Sequence, residues 1–501
     1  MHTIDFTEPV RQSVKGVFII FGFKLFRFAK RFLVLFLAFG ISIIQKKSFI
    51  NLSTAFIVII FIAIIIGIFA VSVLKFLNFK FYVTKSDFHL STGILNKDNI
   101  VIPKSKIQNV NIKQNFLQQI INVVSVNIET AGDDKSEIEI SALDKQNAVK
   151  LKELLFVKTS DSGVEETAES NLIGEDQIFF KASIKRLLLE GISENHFKSF
   201  LIVISFVFGI YYQIKDYFKN LSFEEQIENN IRSIESGMVS LLIFNLVVVF
   251  VFMLVSVLFS VIKTLVINFN LEVIEHRKNI EINKGLFNKI SLALTPSRIQ
   301  NLVIKTNRFK EFLGLYRLSV KQAMVNKKQQ KNFNIVALDK VQIEYLVDKL
   351  LKSYSKPSHY SQPEAYFKYI LGLRLAFLFL ILNIPAYFIF GNRFWLINSL
   401  FILFSAFYVH IRFKKTGYHI SEEFVSLRSG FIDTLTNVLE IHKIQSITLR
   451  QSFFQKRRGI ASVDISTASK TVTVLYIRED TAKNICDLLI YKVESSKQDW
   501  M

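Results

Sequence analysis

The stretch from Gly93 to Gln108, GILNKDNIVIPKSKIQ, returns as GLFNKISLALTPSRIQ from Gly285 to Gln300 and as GFIDTLTNVLEIHKIQ from Gly430 to Gln445. Each copy opens on a glycine and two apolar residues. Each closes, at fixed spacing, on a basic residue, isoleucine and glutamine: Lys106-Ile107-Gln108, Arg298-Ile299-Gln300 and Lys443-Ile444-Gln445. The register then continues without a gap. Val110/Ile112, Leu302/Ile304 and Ile447/Leu449 alternate with other residues, and so, further on, do Val126/Ile128, Leu318/Val320 and Val463/Ile465. A period of two is the mark of a strand with one face buried. A register kept over such separations means one structural unit used three times, and the copies lie too far apart to stack as a solenoid.

What surrounds these units is membrane-like. Half of the 501 residues are hydrophobic, 50 are Phe, and the mean hydropathy is +0.33. That exceeds the usual apolar share of a soluble domain. Yet 21% of the residues are charged and the net charge is +20, so apolar and polar blocks must be segregated. Basic residues flanking membrane spans account for this charge better than nucleic acid, which is not expected as a partner. The single Cys486 excludes a disulfide framework and a Cys-based zinc site. No cleavable signal is expected at the polar start.

Taken in order, residues 1–75 read as an amphipathic lead-in and a first membrane hairpin. Its first span, from Phe32 to Ile44, is short; its second, from Ser48 to Leu74, carries no charge and is long enough to cross. Residues 76–156 form the first repeat domain, with a hairpin tip at Asp133-Asp134-Lys135 and a helix over 144–156 signalled by Asp144. Residues 157–195 are an acidic linker followed by an amphipathic helix from Phe179 to Leu189. The second hairpin occupies 196–265, the second repeat 266–352, a linker and third hairpin 353–411, the third repeat 412–493 and a tail 494–501. The loop between the third and fourth spans holds three basic against five acidic residues, whereas Lys75, Lys80, Lys263, Lys414 and Lys415 flank the repeats. This bias predicts about six crossings, with all repeats and both termini in the cytoplasm.

A search for chemistry finds no Walker loop, GxGxxG, GxSxG or HExxH motif. The eight His are dispersed, and His442 and His276 stand near Glu440 and Glu275 on expected strands, where neighbouring side chains diverge. No catalytic, cofactor or metal residue is named. The basic-Ile-Gln triplet has two readings. In one it is structural, with Ile in the core. In the other its cation joins a patch for anionic lipid head groups or a protein partner: Lys104 and Lys106; Arg298, Arg308 and Lys310 with hairpin residues Lys327, Lys328 and Lys331; Lys443, Lys456, Arg457 and Arg458. Gly93, Gly285 and Gly430 predict a turn needing positive φ, and Asn122, Gly314 and Gly459 share one left-handed cap position.

The combination resembles the bacterial membrane-flanked pleckstrin-homology-like domain family (YdbS/YdbT-like), in its three-domain form. The residues that carry the likeness are the isolated glycines, the triplets, Gln114 with Leu117, Gln451 with Phe454, Gly314, the Thr130-Ala131-Gly132 turn and Arg11-Gln12-Ser13. The second repeat departs from it at Lys321-Gln322-Ala323, and the third lacks Pro before its triplet, leaving His442 at that turn. The resemblance implies an α+β multi-pass protein of the bacterial cytoplasmic membrane. Each repeat would be a split β-barrel capped by a helix, with no established catalysis. The expected role is a non-enzymatic scaffold in envelope stress or export; the alternative is a transporter or lipid-handling protein using the spans. The fold alone does not imply phosphoinositide binding.

Overall fold

The computed structural model describes residues 5–45, 52–130, 137–156, 177–219, 238–276, 279–323, 333–390 and 395–496. Lys327, Lys328, Lys331, the Asp133–Lys135 tip and the turn at Gly391 lie outside them. The chain divides into two compact units: Met1–Gln177, Glu275–Arg277 and Glu281–Ala293 in one, Ile178–Ile274, Lys278–Ile280 and Leu294–Met501 in the other.

The first repeat runs β1 (Val10–Arg11), α1 (Gly16–Gln45), α2 (Leu52–Asn78), β2 (Lys80–Val83), β3 (Asp87–Thr92), β4 (Asp98–Pro103), β5 (Ile107–Gln114), α3 (Phe116–Ile120), β6 (Val124–Thr130), β7 (Glu137–Leu143) and α4 (Lys145–Phe156). One sheet is ordered β1-β2-β3-β4, and β5-β6-β7 form the other. Phe81, Phe88, Val110, Ile128, Ile140 and, from α4, Leu151 share the core between them. In the second repeat, β8 (Gln177–Lys181), α5 (Ile184–Ile192), α6 (Phe197–Lys219), α7 (Met238–Asn268), β9 (Glu272–Glu275), β10 (Ile280–Lys284) and β11 (Lys289–Leu294) come first. Then follow β12 (Ile299–Asn307), α8 (Arg308–Phe312), β13 (Tyr316–Gln322), β14 (Asn334–Leu338) and α9 (Lys340–Leu350). The third repeat has α10 (Tyr366–Phe390), α11 (Trp395–Lys415), β15 (Gly417–Ile420), β16 (Phe424–Gly430), β17 (Asp433–Glu440), β18 (Ile444–Arg450), α12 (Phe453–Lys456), β19 (Ile460–Thr467), β20 (Thr471–Arg478) and α13 (Glu479–Ser495).

The repeat signature acquires physical causes. The glycines sit at φ 114°, 113° and 139°. A Cβ at Gly93, Gly285 or Gly430 would stand 1.8–2.0 Å from the carbonyl oxygen three residues on, so no other residue fits the turn. The expected apolar pairs face each other across the ladders: Val110 opposes Ile128, Leu302 opposes Val320, and Ile447 opposes Ile465. In all three copies the register shifts between the triplet's Ile and the residue after its Gln. Gln108, Gln300 and Gln445 are therefore bulge residues, which bend the strand out of one sheet and into the next. Ile107, Ile299 and Ile444 are buried just before that bend. The third copy makes its turn at Ile441–Lys443 without proline.

Asn122, Gly314 and Gly459 lie at φ 55°, 66° and 60°, closing α3, α8 and α12. The last helices bury one stripe each: Ala148, Leu151 and Leu155; Ile343, Leu346, Val347 and Leu350; Ala482, Ile485, Cys486 and Leu489. Asp339 caps α9 in a reciprocal box with Gln342. In the third repeat the matching Asp480 is instead inside the first turn, behind Arg478 at the N-cap.

The six long helices form three neighbouring pairs. Phe21 of α1 meets Phe69 of α2, and Phe379 of α10 meets Phe401 of α11. Ser256 of α7 donates to His196 O at the start of α6. Ile59–Asn78, Leu246–Asn268 and Tyr366–Ile384 are long and apolar enough to cross a membrane. In place of an interfacial lead-in and a separate span from Phe32, α1 is one helix. Its beginning is docked on the barrel, with Ile19 against Val123 and Ala142. Residues 179–181 are strand, not helix; α5 begins only at Ile184, where Ser183 supplies the cap. β8 thus stands beside β9 as β1 stands beside β2, and Ser361 makes the equivalent bridge to Tyr418. The long-helix pairs thus lie between β1 and β2, between β8 and β9 (after α5), and between the Ser361 bridge and β15.

Successive repeats also share sheets. In the first unit β5 pairs with β11, with Gln114 opposite Lys289. In the second unit β12 pairs with β17 from Leu302–Val438 to Asn307–Asp433.

Among the described residues, the second repeat carries a buried ionic cluster that the other two repeats do not show. Gln118 and Gln455 complete capping boxes with Asn115 and Ser452. At that position the second repeat has Lys310, which is fully buried. Its Nζ pairs with Glu190 on α5, also fully buried, and lies 3.1 Å from Glu194. Arg317 donates to both carboxylates, and Lys305 links Glu194 to Asp433 at 3.4 and 3.2 Å. Burial pushes the Lys310 ammonium down despite Glu190. Burial would raise Glu194, but Arg317, Lys310 and Lys305 outweigh it and hold the carboxyl at about 2.

Three outcomes are expected from denaturant unfolding of the detergent-solubilised chain. Gly285→Ala costs ~1–3 kcal/mol, whereas Gly314→Asn, which copies the residue already at Asn122, is nearly neutral. Lys310→Met leaves the buried Glu190 with Arg317 as its remaining cation and costs up to about 3–5 kcal/mol, most of it recovered when Glu190 is also made Gln. Because Glu194 is depressed, its stabilisation is full above its ordinary value of 4.5 and is lost as pH falls towards 2. Glu194→Gln should be less stable at neutral pH and lose less stability across that window.

Candidate functional site

Each repeat turns from the bulged strand through a short helix whose apolar side chains face outward. Phe116 and Ile120 of α3 are 53% and 65% exposed, Phe312 of α8 84%, and Phe453 and Phe454 of α12 77% and 69%. The helices are rigid because they are tied down at both ends. Asn115, Asn307 and Ser452 cap their N-termini. Gln114 donates to Val123 O and Gln451 to Ile460 O across the following turn. Gln118 and Gln455 reach back to Ser141 O and Ser462 Oγ. In the first repeat the tip meets the next Gly turn: Gln119 donates to Leu286 O and Phe287 O, and Phe116 lies edge-on to Phe287.

The third tip lies beside the first turns of α10. Arg458 is placed over the ring of Tyr366 at 4.6 Å and of Tyr369 at 5.6 Å. Next to it a cavity of about 460 Å³ is lined by Tyr366, Arg374, Arg412, Phe454 and Tyr476, among others. Its walls are mostly apolar and aromatic with Gln451, Ser452, Gln455 and Ser462 among them, and its charged groups are guanidinium. Arg412 Nε is buried with no hydrogen-bond partner among the described residues. Guanidinium suits a phosphate oxygen pair. The aromatic wall and exposed Phe453 suit the border between head group and acyl chain. No carboxylate lines the cavity.

The sequence-predicted cations separate into distinct classes. Lys456, Arg457 and Arg458 are exposed together on the third tip, and Lys106 and Arg308 are exposed singly. Arg298 is half-buried, and burial lowers the half-buried Lys104. Lys310 and Lys443 correct the expectation: both are buried. Lys310 is spent on Glu190, and Lys443 on Glu440 and Ile299 O, so neither offers charge to a head group. Arg412 was not among the candidates, since a basic residue at the end of an apolar run reads as snorkelling. Only the fold brings it level with Arg374 and Phe454.

Comparison with known proteins agrees with this architecture. The profile of the bacterial PH domain (bPH_2) matches three times, over residues 32–158, 221–354 and 370–493. The UPF0699 transmembrane protein YdbT of Bacillus subtilis (strain 168) is 21% identical over 452 residues, which is 85% of this chain and 88% of that protein. No solved structure gives a significant match. With its three PH-like repeats and its long apolar helices, this membrane protein belongs to the bacterial PH domain family.

Proposed function

We propose that the chain is a non-enzymatic scaffold of the bacterial cytoplasmic membrane, presenting its three PH-like domains to the cytoplasm. The observation that carries this reading is the sharing of sheets between repeats: β5 with β11, and β12 with β17. Within each compact unit, strands of successive repeats are joined by backbone hydrogen bonds, which suits a platform better than a set of independent binding modules. The Lys and Arg residues flanking the repeats support the cytoplasmic placement. Leu52–Leu74 and Met238–Ile262 contain no ionisable residue, which favours anchoring over transport.

A second element is favoured by the cavity beside α10. Arg374, Arg412 and Arg458 with Tyr366 and Phe454 make a site for the phosphate of an anionic phospholipid, fixing the third domain against the bilayer. The test is reconstitution of the full chain in nanodiscs of mixed phosphatidylglycerol and phosphatidylcholine, followed by native mass spectrometry of retained lipid. Phosphatidylglycerol should be kept in preference, and Arg412→Gln with Arg458→Gln should weaken that preference by roughly thirtyfold, at about 1 kcal/mol per lost cation. Equal retention of both lipids by the unaltered chain would sink the lipid site while leaving the scaffold reading standing.

A further inference from the structure

The two junctions between repeats obey one rule. Counting from the triplet isoleucine on one strand and from the turn glycine on the other, Gln114 opposite Lys289 and Thr306 opposite Thr434 are the same step, as are Lys113–Ile290 and Lys305–Leu435. β5 and β12 therefore present one kind of edge, and β11 and β17 the complementary one. A string of such units has one unused edge of each kind. β4, the counterpart of β11 and β17, pairs only with β3 among the described residues; β18, the counterpart of β5 and β12, pairs only with β19.

Both edges look like junction faces that lack their partner. On β11, just past its last pair with β5 at Ser291, Leu292 and Ala293 are 1% and 8% exposed; at the same positions of β17, within the second junction, Asn437 and Val438 are 7% and 0%. On β4 the same positions are Ile100 and Val101, at 39% and 55%. On β18, Gln445, Ser446, Thr448 and Arg450 are exposed, whereas Gln300 and Asn301 of β12 are buried. An edge strand with exposed apolar residues and unpaired backbone groups is a template for another strand.

We infer that β4 of one chain pairs antiparallel with β18 of a second copy, in the register of the two internal junctions. That register sets Asp98 opposite Arg450, Asn99 opposite Leu449, Ile100 opposite Thr448 and Val101 opposite Ile447. It joins an acidic to a basic side chain and continues the apolar line occupied by Leu302 and Val438 at the second junction. Pro103 falls level with the bulge at Gln445, beyond the paired segment. Because the two edges differ, the association is head-to-tail and extends to further copies or closes a ring. Arg450 also lines the cavity beside α10, but the association does not require that cavity to hold a lipid, nor a particular orientation of the domains across the membrane, provided both copies share one.

The experiment co-expresses two full-length chains with different tags, one bearing Ile100→Cys and the other Thr448→Cys, and applies mild oxidation to native membranes. Cys486 is buried and is left in place. Directly opposed residues on an antiparallel pair lie within disulfide reach. The expected result is a covalent product carrying both tags. It should be lost when Thr448→Cys is replaced by Leu449→Cys, because a one-residue slip turns the side chain to the other face. It should also be lost when Val101→Lys is added to the first chain. Absence of the two-tag product, an equally strong product from the slipped pair, or a link to a protein of different mass would each overturn the inference.

Discussion

The structure depends on the backbone hydrogen bonds that an exposed strand edge must find. In a split barrel the strand leaving the triplet and the strand leaving the turn glycine are both left with one unpaired side. Here the protein satisfies them by pairing β5 with β11 and β12 with β17. The glycine makes this possible, since its turn brings the hairpin strand back close to itself, where a Cβ would strike a carbonyl. The glutamine contributes the bulge that redirects the strand before it reaches its neighbour. Two residues that look like incidental punctuation are thus the parts that let one barrel be joined to the next.

The helix pairs follow from the same arrangement. Each is inserted after a short strand that has already docked on the sheet: Val10–Arg11 on β2, β8 on β9, and Ser361 on Tyr418. The chain therefore leaves and re-enters a barrel at adjacent strands, which requires an antiparallel helical excursion and holds the barrel close to whatever that excursion crosses. The short helices α3, α8 and α12 each bear exposed aromatic side chains, and in the third repeat these stand beside the entry of α10.

Charge is used in two opposite ways at one structural position. In the first and third copies the third residue of the short helix is a neutral glutamine that closes a capping box. In the second it is Lys310, committed to Glu190 within the protein. Burying that many charges is not an economical source of stability, since desolvation offsets much of the Coulombic gain. The cluster ties α5 and its C-terminal turn to α8, β12 and β13 at once. Glu190 and Glu194 on α5 and its C-terminal turn, Arg317 on β13 and Asp433 at the head of β17 must all arrive together.

The repeat, its strand alternation, the positive-φ glycines, the left-handed caps and the family resemblance were legible in the residues, because each is a local rule. Period two follows from pleating, and left-handed φ admits little besides Gly and Asn. The roles of the cations were not legible. Lys310 and Arg308 stand two residues apart on the same five-residue helix, one sealed in the protein and the other in solvent, and Lys443 and Lys106 occupy the same triplet position with opposite fates. Whether a long basic side chain meets water, a carboxylate or a carbonyl depends on which distant segment lies above it. The glutamate partners of Lys310 come from more than a hundred residues away. The edge pairings share that dependence: a backbone edge has no side-chain signature of its partner, so the sequence alone determined three barrels, and only their packing decided that they share sheets.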